Sequence, residues 1–139
     1  MATLFDTFKT SADLEKNGVW LEVQPGVRFL CARAGGLNKK YQRVFSAIVK
    51  PYKRQYDNGT LDPDMADTLL RDVFIKSVLL DWENVTDKEG KPLEFNENNA
   101  QWLLRELPDL YAALQEESAK VSNYLVKEIE EMGKSSEST

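Results

Sequence analysis

The chain has 139 residues, of which 42% are hydrophobic and 29% charged, and its net charge is −5. This length supports one hydrophobic core, so we expect a single domain over residues 1–132 followed by a disordered tail at 133–139. One cysteine and no histidine exclude an internal disulfide, the usual zinc sites and the histidine-activated nucleophiles of most hydrolases.

The N-terminal residues carry no targeting signal. Residues 1–10 include Asp6 and Lys9 without an apolar signal core, and no stretch reaches the roughly 18 consecutive apolar residues of a membrane-spanning helix. We therefore expect a cytosolic protein that does not contact a membrane. Residues 1–16 are polar with scattered apolar anchors, which predicts a loosely attached arm.

Two short segments rich in β-branched and aromatic residues follow, at 19–23 and 27–33. The Gln24-Pro25-Gly26 sequence between them has the composition of a tight turn, so the pattern predicts a β-hairpin. Cys31 lies in the second strand. There we expect it to be a small buried apolar residue rather than a reactive thiol.

The next segment predicts an amphipathic helix from Asn38, its N-cap, to Tyr56, because apolar residues recur every three or four positions. Pro51 lacks an amide proton and predicts a kink or break near Lys50. The polar side of this helix is basic. We take the following as candidate partner-binding residues: Lys39, Lys40, Arg43, Lys50, Lys53 and Arg54.

The charge of this region is strongly asymmetric. Residues 23–56 contain eight positive charges and no acidic residue. Such a surface fits a solvated helix face, an acidic partner or nucleic acid. Tyr41, Tyr52 and Tyr56 fall on the apolar side of the predicted helix, which favours core packing over base stacking and argues against nucleic acid.

Helix start signals recur downstream. Asp62 before Pro63 predicts the start of a second helix, and the apolar run at 78–80 predicts that its last turns are buried nearly all round. Residues 81–85 leave the helical pattern and predict an ordered loop around Trp82.

Two further helices complete the predicted fold. Asn96 predicts the N-cap of a third helix that ends or bends at Pro108. An apolar stripe predicts a fourth helix, the longest, from Asp109 to Met132, ended by Gly133. The fold class we expect is α+β and mainly α. It has an N-terminal β-hairpin packed against about four helices.

No residue pattern points to catalysis. The carboxylate pairs Asp62/Asp64 and Glu116/Glu117 have ordinary explanations as helix caps and solvated helix surface. The acidic residues between positions 81 and 89 lack the spacing of a calcium loop. We predict no catalytic residue, no cofactor and no metal site, and therefore a protein that is not an enzyme.

Short segments in a particular order carry further information. They are residues 14–20 (LEKNGVW), 33–36 (RAGG), 79–85 (LLDWENV), 87–95 (DKEGKPLEF), 98–100 (NNA), 103–104 (LL) and 107–110 (LPDL). In this order, and with Asn38 at the start of the basic helix, the chain resembles the tail assembly chaperones of long-tailed, lambda-like bacteriophages. The resemblance covers roughly residues 12–126.

The resemblance implies a non-enzymatic role in the host cytoplasm. Proteins of this family bind the tape measure protein, keep it soluble, help to recruit tail tube subunits and are absent from the mature virion. Self-association of copies is compatible with such a role. Two alternatives stay open, namely a structural tail component retained in the virion and a small nucleic-acid-binding protein.

The resemblance also implies a second product. In lambda-like phages some ribosomes slip backward near the end of this gene and add a domain that recruits the major tail tube protein. Met132-Gly133-Lys134 fits this behaviour, because the codons ATG-GGA-AAG would contain the slippery run G-GGA-AAG. A programmed frameshift at these residues is therefore a hypothesis.

Overall fold

The computed structural model describes residues 1–126, which form a three-stranded sheet and seven α-helices. The strands are β1 (Val19–Gln24), β2 (Val27–Cys31) and β3 (Leu79–Glu83). The helices are α1 (Leu4–Phe8), α2 (Ala12–Asn17), α3 (Lys39–Val49), α4 (Lys53–Asn58), α5 (Pro63–Ser77), α6 (Glu97–Glu106) and α7 (Pro108–Ala119). Short 3₁₀ helices cover Lys50–Tyr52 and Val121–Tyr124. The predicted α+β, mainly α class is confirmed.

The predicted hairpin is present. Strands β1 and β2 pair antiparallel, with Leu21 opposite Phe29, and the turn between them contains Gly26 at a φ of 81°. The amide of Gly26 donates to the Glu22 carboxylate at 2.9 Å. Cys31 is completely buried, which confirms the expectation for this residue.

Strand β3 corrects two predictions. Helix α5 ends at Ser77, and residues 79–83 form a strand that pairs with β2, so Phe29 lies opposite Trp82. The predictions of a longer helix and of a loop around Trp82 are wrong. A short apolar run suits a buried helix turn and a buried strand equally well, and here only pairing with the distant β2 decides between them.

The core lies between the sheet and helices α5, α6 and α7. Phe29 and Phe95 both meet the Trp82 ring edge to face, with ring centroids 6.0 and 5.0 Å away. The Trp82 indole donates to the Leu93 carbonyl at 2.8 Å, so its one polar atom is paired. The buried helical side chains of this core are Val73, Phe74, Ile75, Ala100, Leu103, Leu104 and Leu114.

The predicted N-terminal arm is only partly loose. Helix α1 is exposed along its length, but α2 is anchored through Glu15, which has no exposed surface. The Glu15 carboxylate forms a salt bridge with Arg33 and accepts a hydrogen bond from the Leu37 amide at 3.0 Å. A buried ion pair cannot be recognised from hydropathy, so the sequence prediction missed this attachment.

The basic helix divides as expected at Pro51. Helix α3 stops at Val49, the 3₁₀ helix follows, and α4 begins at Lys53. Asn38 precedes α3, but its side chain does not cap the helix. It is buried instead and donates to the carbonyls of Arg33 and Ser77 at 2.9 and 3.1 Å. The predicted capping role of Asn38 is therefore wrong.

The predicted long C-terminal helix is also wrong in its extent. Helix α7 ends at Ala119, and the following turn buries Tyr124 completely. The Tyr124 hydroxyl lies 3.1 and 3.2 Å from the carbonyl oxygens of Cys31 and Ala32. This contact requires the chain to leave the helix axis. The predicted helix over 127–132, its end at Gly133 and the predicted tail at 133–139 lie outside the described residues.

The buried ion pair generates a stability prediction. Glu15→Gln removes one charge of the pair and leaves Arg33, whose side chain is 18% exposed, without its counter-ion. We expect the free energy of unfolding to fall by about 3 kcal/mol, measured as a lower midpoint of urea unfolding. The control is Glu89→Gln at an exposed position. Equal midpoints for the two variants would contradict a structural role for Glu15.

Candidate partner-binding surface

The six predicted binding residues lie on one continuous stretch of chain formed by α3, the 3₁₀ helix and α4. All six side chains are exposed, and none forms a salt bridge with another residue between positions 1 and 126. We call this set the basic surface. Its members are Lys39, Lys40, Arg43, Lys50, Lys53 and Arg54.

The other two cations of the basic segment have structural partners. Arg28 forms a salt bridge with Glu83 at 2.6 Å and lies over the Trp20 ring, 4.8 Å from its centroid. Arg33 is paired with Glu15. The structure therefore separates two cations that hold strands and helices together from six that are available to solvent and to a binding partner.

An apolar groove is lined by residues on both sides of the break at Pro51, and we call it the elbow groove. Its volume is about 410 Å³. The lining residues are Phe45, Ser46, Val49, Lys50, Lys53, Tyr56 and Asp57. The structure thus brings Lys50 and Lys53 together at one apolar site, whereas the remaining four predicted residues lie outside its lining.

The sequence analysis missed this groove because it assigned the apolar side of the helix to the core. Tyr41 and Tyr52 are half-buried as expected, but Tyr56 is 41% exposed. Its ring meets Phe45 edge to face, with centroids 6.0 Å apart. The available signal was Pro51, because residues beyond a break in a helix need not continue to pack on the core.

The acidic clusters of the described chain have local explanations. The Asp62 side chain accepts from the Met65 amide at the start of α5, and Asp87 accepts from the amides of Glu89 and Lys91 in a turn. Over residues 1–126, no three His, Cys, Asp or Glu side chains converge as they would around a metal ion.

Among residues 1–126, no helix combines the length and the apolar character needed to cross a membrane.

The single cysteine is inaccessible to solvent. Cys31 has no exposed area, and burial raises the pKa of its thiol to about 12.

Residues 37–135 match the family of the YdaY prophage protein. This range covers more than half of the chain. The chain belongs to the YdaY prophage protein family. It is therefore a phage-derived protein, and the part that matches the YdaY family includes the whole basic surface and the elbow groove. No curated protein and no solved structure matches the chain.

Burial of the thiol predicts its reactivity. At pH 8 the folded protein should react with a thiol reagent such as Ellman's reagent far more slowly than the protein in urea, because Cys31 is both inaccessible and protonated. We expect a rate difference of at least about a hundredfold, followed by absorbance. Equal rates in buffer and in urea would contradict the burial of Cys31.

Proposed function

We propose that this protein is a phage tail assembly chaperone that binds the tape measure protein in the host cytoplasm and keeps it soluble. The observation that carries the proposal is a surface of six exposed cations, unpaired within residues 1–126, beside an apolar groove. Membership of a prophage family supports a role in phage biology. The resemblance over residues 12–126 supports the tape measure protein as the client.

The mechanism we propose is reversible shielding. A long helical client exposes apolar stripes that self-associate, and a bound small domain removes such a stripe from contact with others. Many copies that each bind weakly hold a long client collectively. Each copy can also leave separately, so tail tube subunits can replace the chaperone stepwise. No bond is made or broken, and the protein is absent from the finished virion.

The frameshifted product belongs to the same proposal. Its extra domain would bring the major tail tube protein to the client, while the basic surface and the elbow groove stay common to both products. The gene sequence tests this step directly. We expect the codons of Met132, Gly133 and Lys134 to contain the run G-GGA-AAG, and a gene without that run would exclude slippage at this place.

Co-expression tests the central role. The tape measure protein encoded beside this gene should be largely insoluble when expressed alone and soluble when expressed with this chain, measured by sedimentation of lysates and co-purification. A client that is equally soluble without the protein would contradict the proposal. Detection of the chain in purified virions would favour a retained tail component.

A charge-reversal variant asks whether the basic surface makes the contact. Lys39→Glu/Lys40→Glu/Arg43→Glu changes three exposed residues outside the elbow groove. We expect client capture to weaken on the order of tenfold, because each exposed ion pair contributes up to about 1 kcal/mol. The matched control, Lys16→Glu/Lys88→Glu/Lys91→Glu, has the same net charge at exposed positions elsewhere. Equal capture by both folded variants would exclude the basic surface.

A further inference from the structure

The elbow groove has an apolar floor formed by residues of two successive helices. Phe45 and Val49 come from α3, and Tyr56 comes from α4. Val49 is buried, whereas Tyr56 keeps 41% of its surface exposed. The 3₁₀ helix Lys50–Tyr52 lies between the two helices, and residues from both of them line the groove.

The rim of the groove carries two positive charges at one end and one negative charge at the other. Lys50 and Lys53 stand at the break, and Asp57 stands near the end of α4. None of the three forms a salt bridge with another residue of the described range. An occupant with negative charge beside the two lysines is therefore favoured over a neutral or basic one, and it meets a single carboxylate at the other end.

We propose that the elbow groove binds an acidic amphipathic helix of the client, with its apolar stripe on Phe45, Val49 and Tyr56 and its carboxylates beside Lys50 and Lys53. An amphipathic helix presents anchors at i, i+3, i+4 and i+7 along one side, which suits an apolar groove. A volume of about 410 Å³ is that of a ligand site and accepts a few such side chains.

The charge pattern separates this occupant from nucleic acid. A strand of nucleic acid is uniformly anionic, and its affinity arises chiefly from rows of phosphate contacts. The elbow groove instead has two cations, one carboxylate and an apolar floor. The inference deepens the proposed function and rests on it for the identity of the client. The binding chemistry itself can be measured with the protein alone.

The probe is an 18-residue fluorescent peptide with leucine at i, i+3, i+4 and i+7 and glutamate at the flanking positions. Fluorescence anisotropy with the full chain should give a dissociation constant of tens to hundreds of micromolar, as befits a small interface. A peptide with lysine in place of every glutamate should bind at least about tenfold more weakly. Binding of the acidic peptide should weaken as salt is raised from 50 to 500 mM.

Variants locate the site. Lys50→Glu/Lys53→Glu should weaken the acidic peptide at least about tenfold, and Tyr56→Ser should weaken it without changing its salt dependence. The matched control Lys16→Glu/Lys88→Glu should change it less than about twofold, and circular dichroism verifies folding. Equal affinity for the acidic and basic peptides, or an unchanged affinity in the folded Lys50→Glu/Lys53→Glu variant, would overturn the proposal.

Two other occupants give different results. If the chain's own Glu128, Glu130 and Glu131 occupied the groove, they would compete with the peptide. A full-length variant with glutamine at these three positions would then bind the peptide at least about tenfold more tightly, and that result would overturn the proposal. Tighter binding of single-stranded DNA than of the peptide, lost in Lys50→Glu/Lys53→Glu, would assign the groove to nucleic acid and also overturn it.

Peptide binding by the groove and the proposed chaperone function can be contradicted independently. If the Lys50→Glu/Lys53→Glu variant loses the peptide but still solubilises the tape measure protein, the groove is not the client site and the chaperone function stands. If the wild-type chain binds the acidic peptide but the client needs no help to stay soluble, the groove chemistry stands and the tape measure protein is not its client.

Discussion

The buried carboxylate of Glu15 fixes how the N-terminal segment, the sheet and the basic surface meet. It projects from α2, pairs with Arg33 just beyond β2 and accepts from the Leu37 amide just before α3. An ion removed from water costs several kcal/mol unless its partners are in place. Gly36 shows how tightly the site is packed, because a Cβ atom there would lie 2.6 Å from the Glu15 carboxylate.

The Glu15 contacts also position the basic surface, because they hold the residues just before α3. Asn38, one residue after Leu37, is held between the carbonyls of Arg33 and Ser77, which ties α3 to the end of α5. With its beginning fixed, α3 packs against α5 along its apolar side and turns its cations outward. Helix α3 ends at Val49, before Pro51, and α4 begins at Lys53 after the 3₁₀ helix. The orientation of the basic surface therefore depends on buried contacts that involve none of its own side chains.

Local patterns predicted the hairpin, the break at Pro51 and the starts of α5 and α6, because each depends on a turn, a proline or a capping residue within a few positions. Strand β3 and the end of α7 were not predictable in this way. The first depends on pairing with β2, about fifty residues earlier, and the second on the contact between Tyr124 and the carbonyls of Cys31 and Ala32. The six cations were predicted as a set from the sequence. The elbow groove was not, because the apolar side of the helix was expected to pack on the core.

The division between charge and apolar area suits the reversible contact that we propose. Exposed cations chiefly speed encounter and select an acidic partner, and each adds little affinity. The apolar floor of the elbow groove supplies the attraction that does not depend on salt, but its small area keeps each contact weak. A larger exposed apolar patch would make the protein itself prone to aggregation. If the proposed function holds, one basic face on a chain of net charge −5 would select an acidic client and still release it, because each contact is weak.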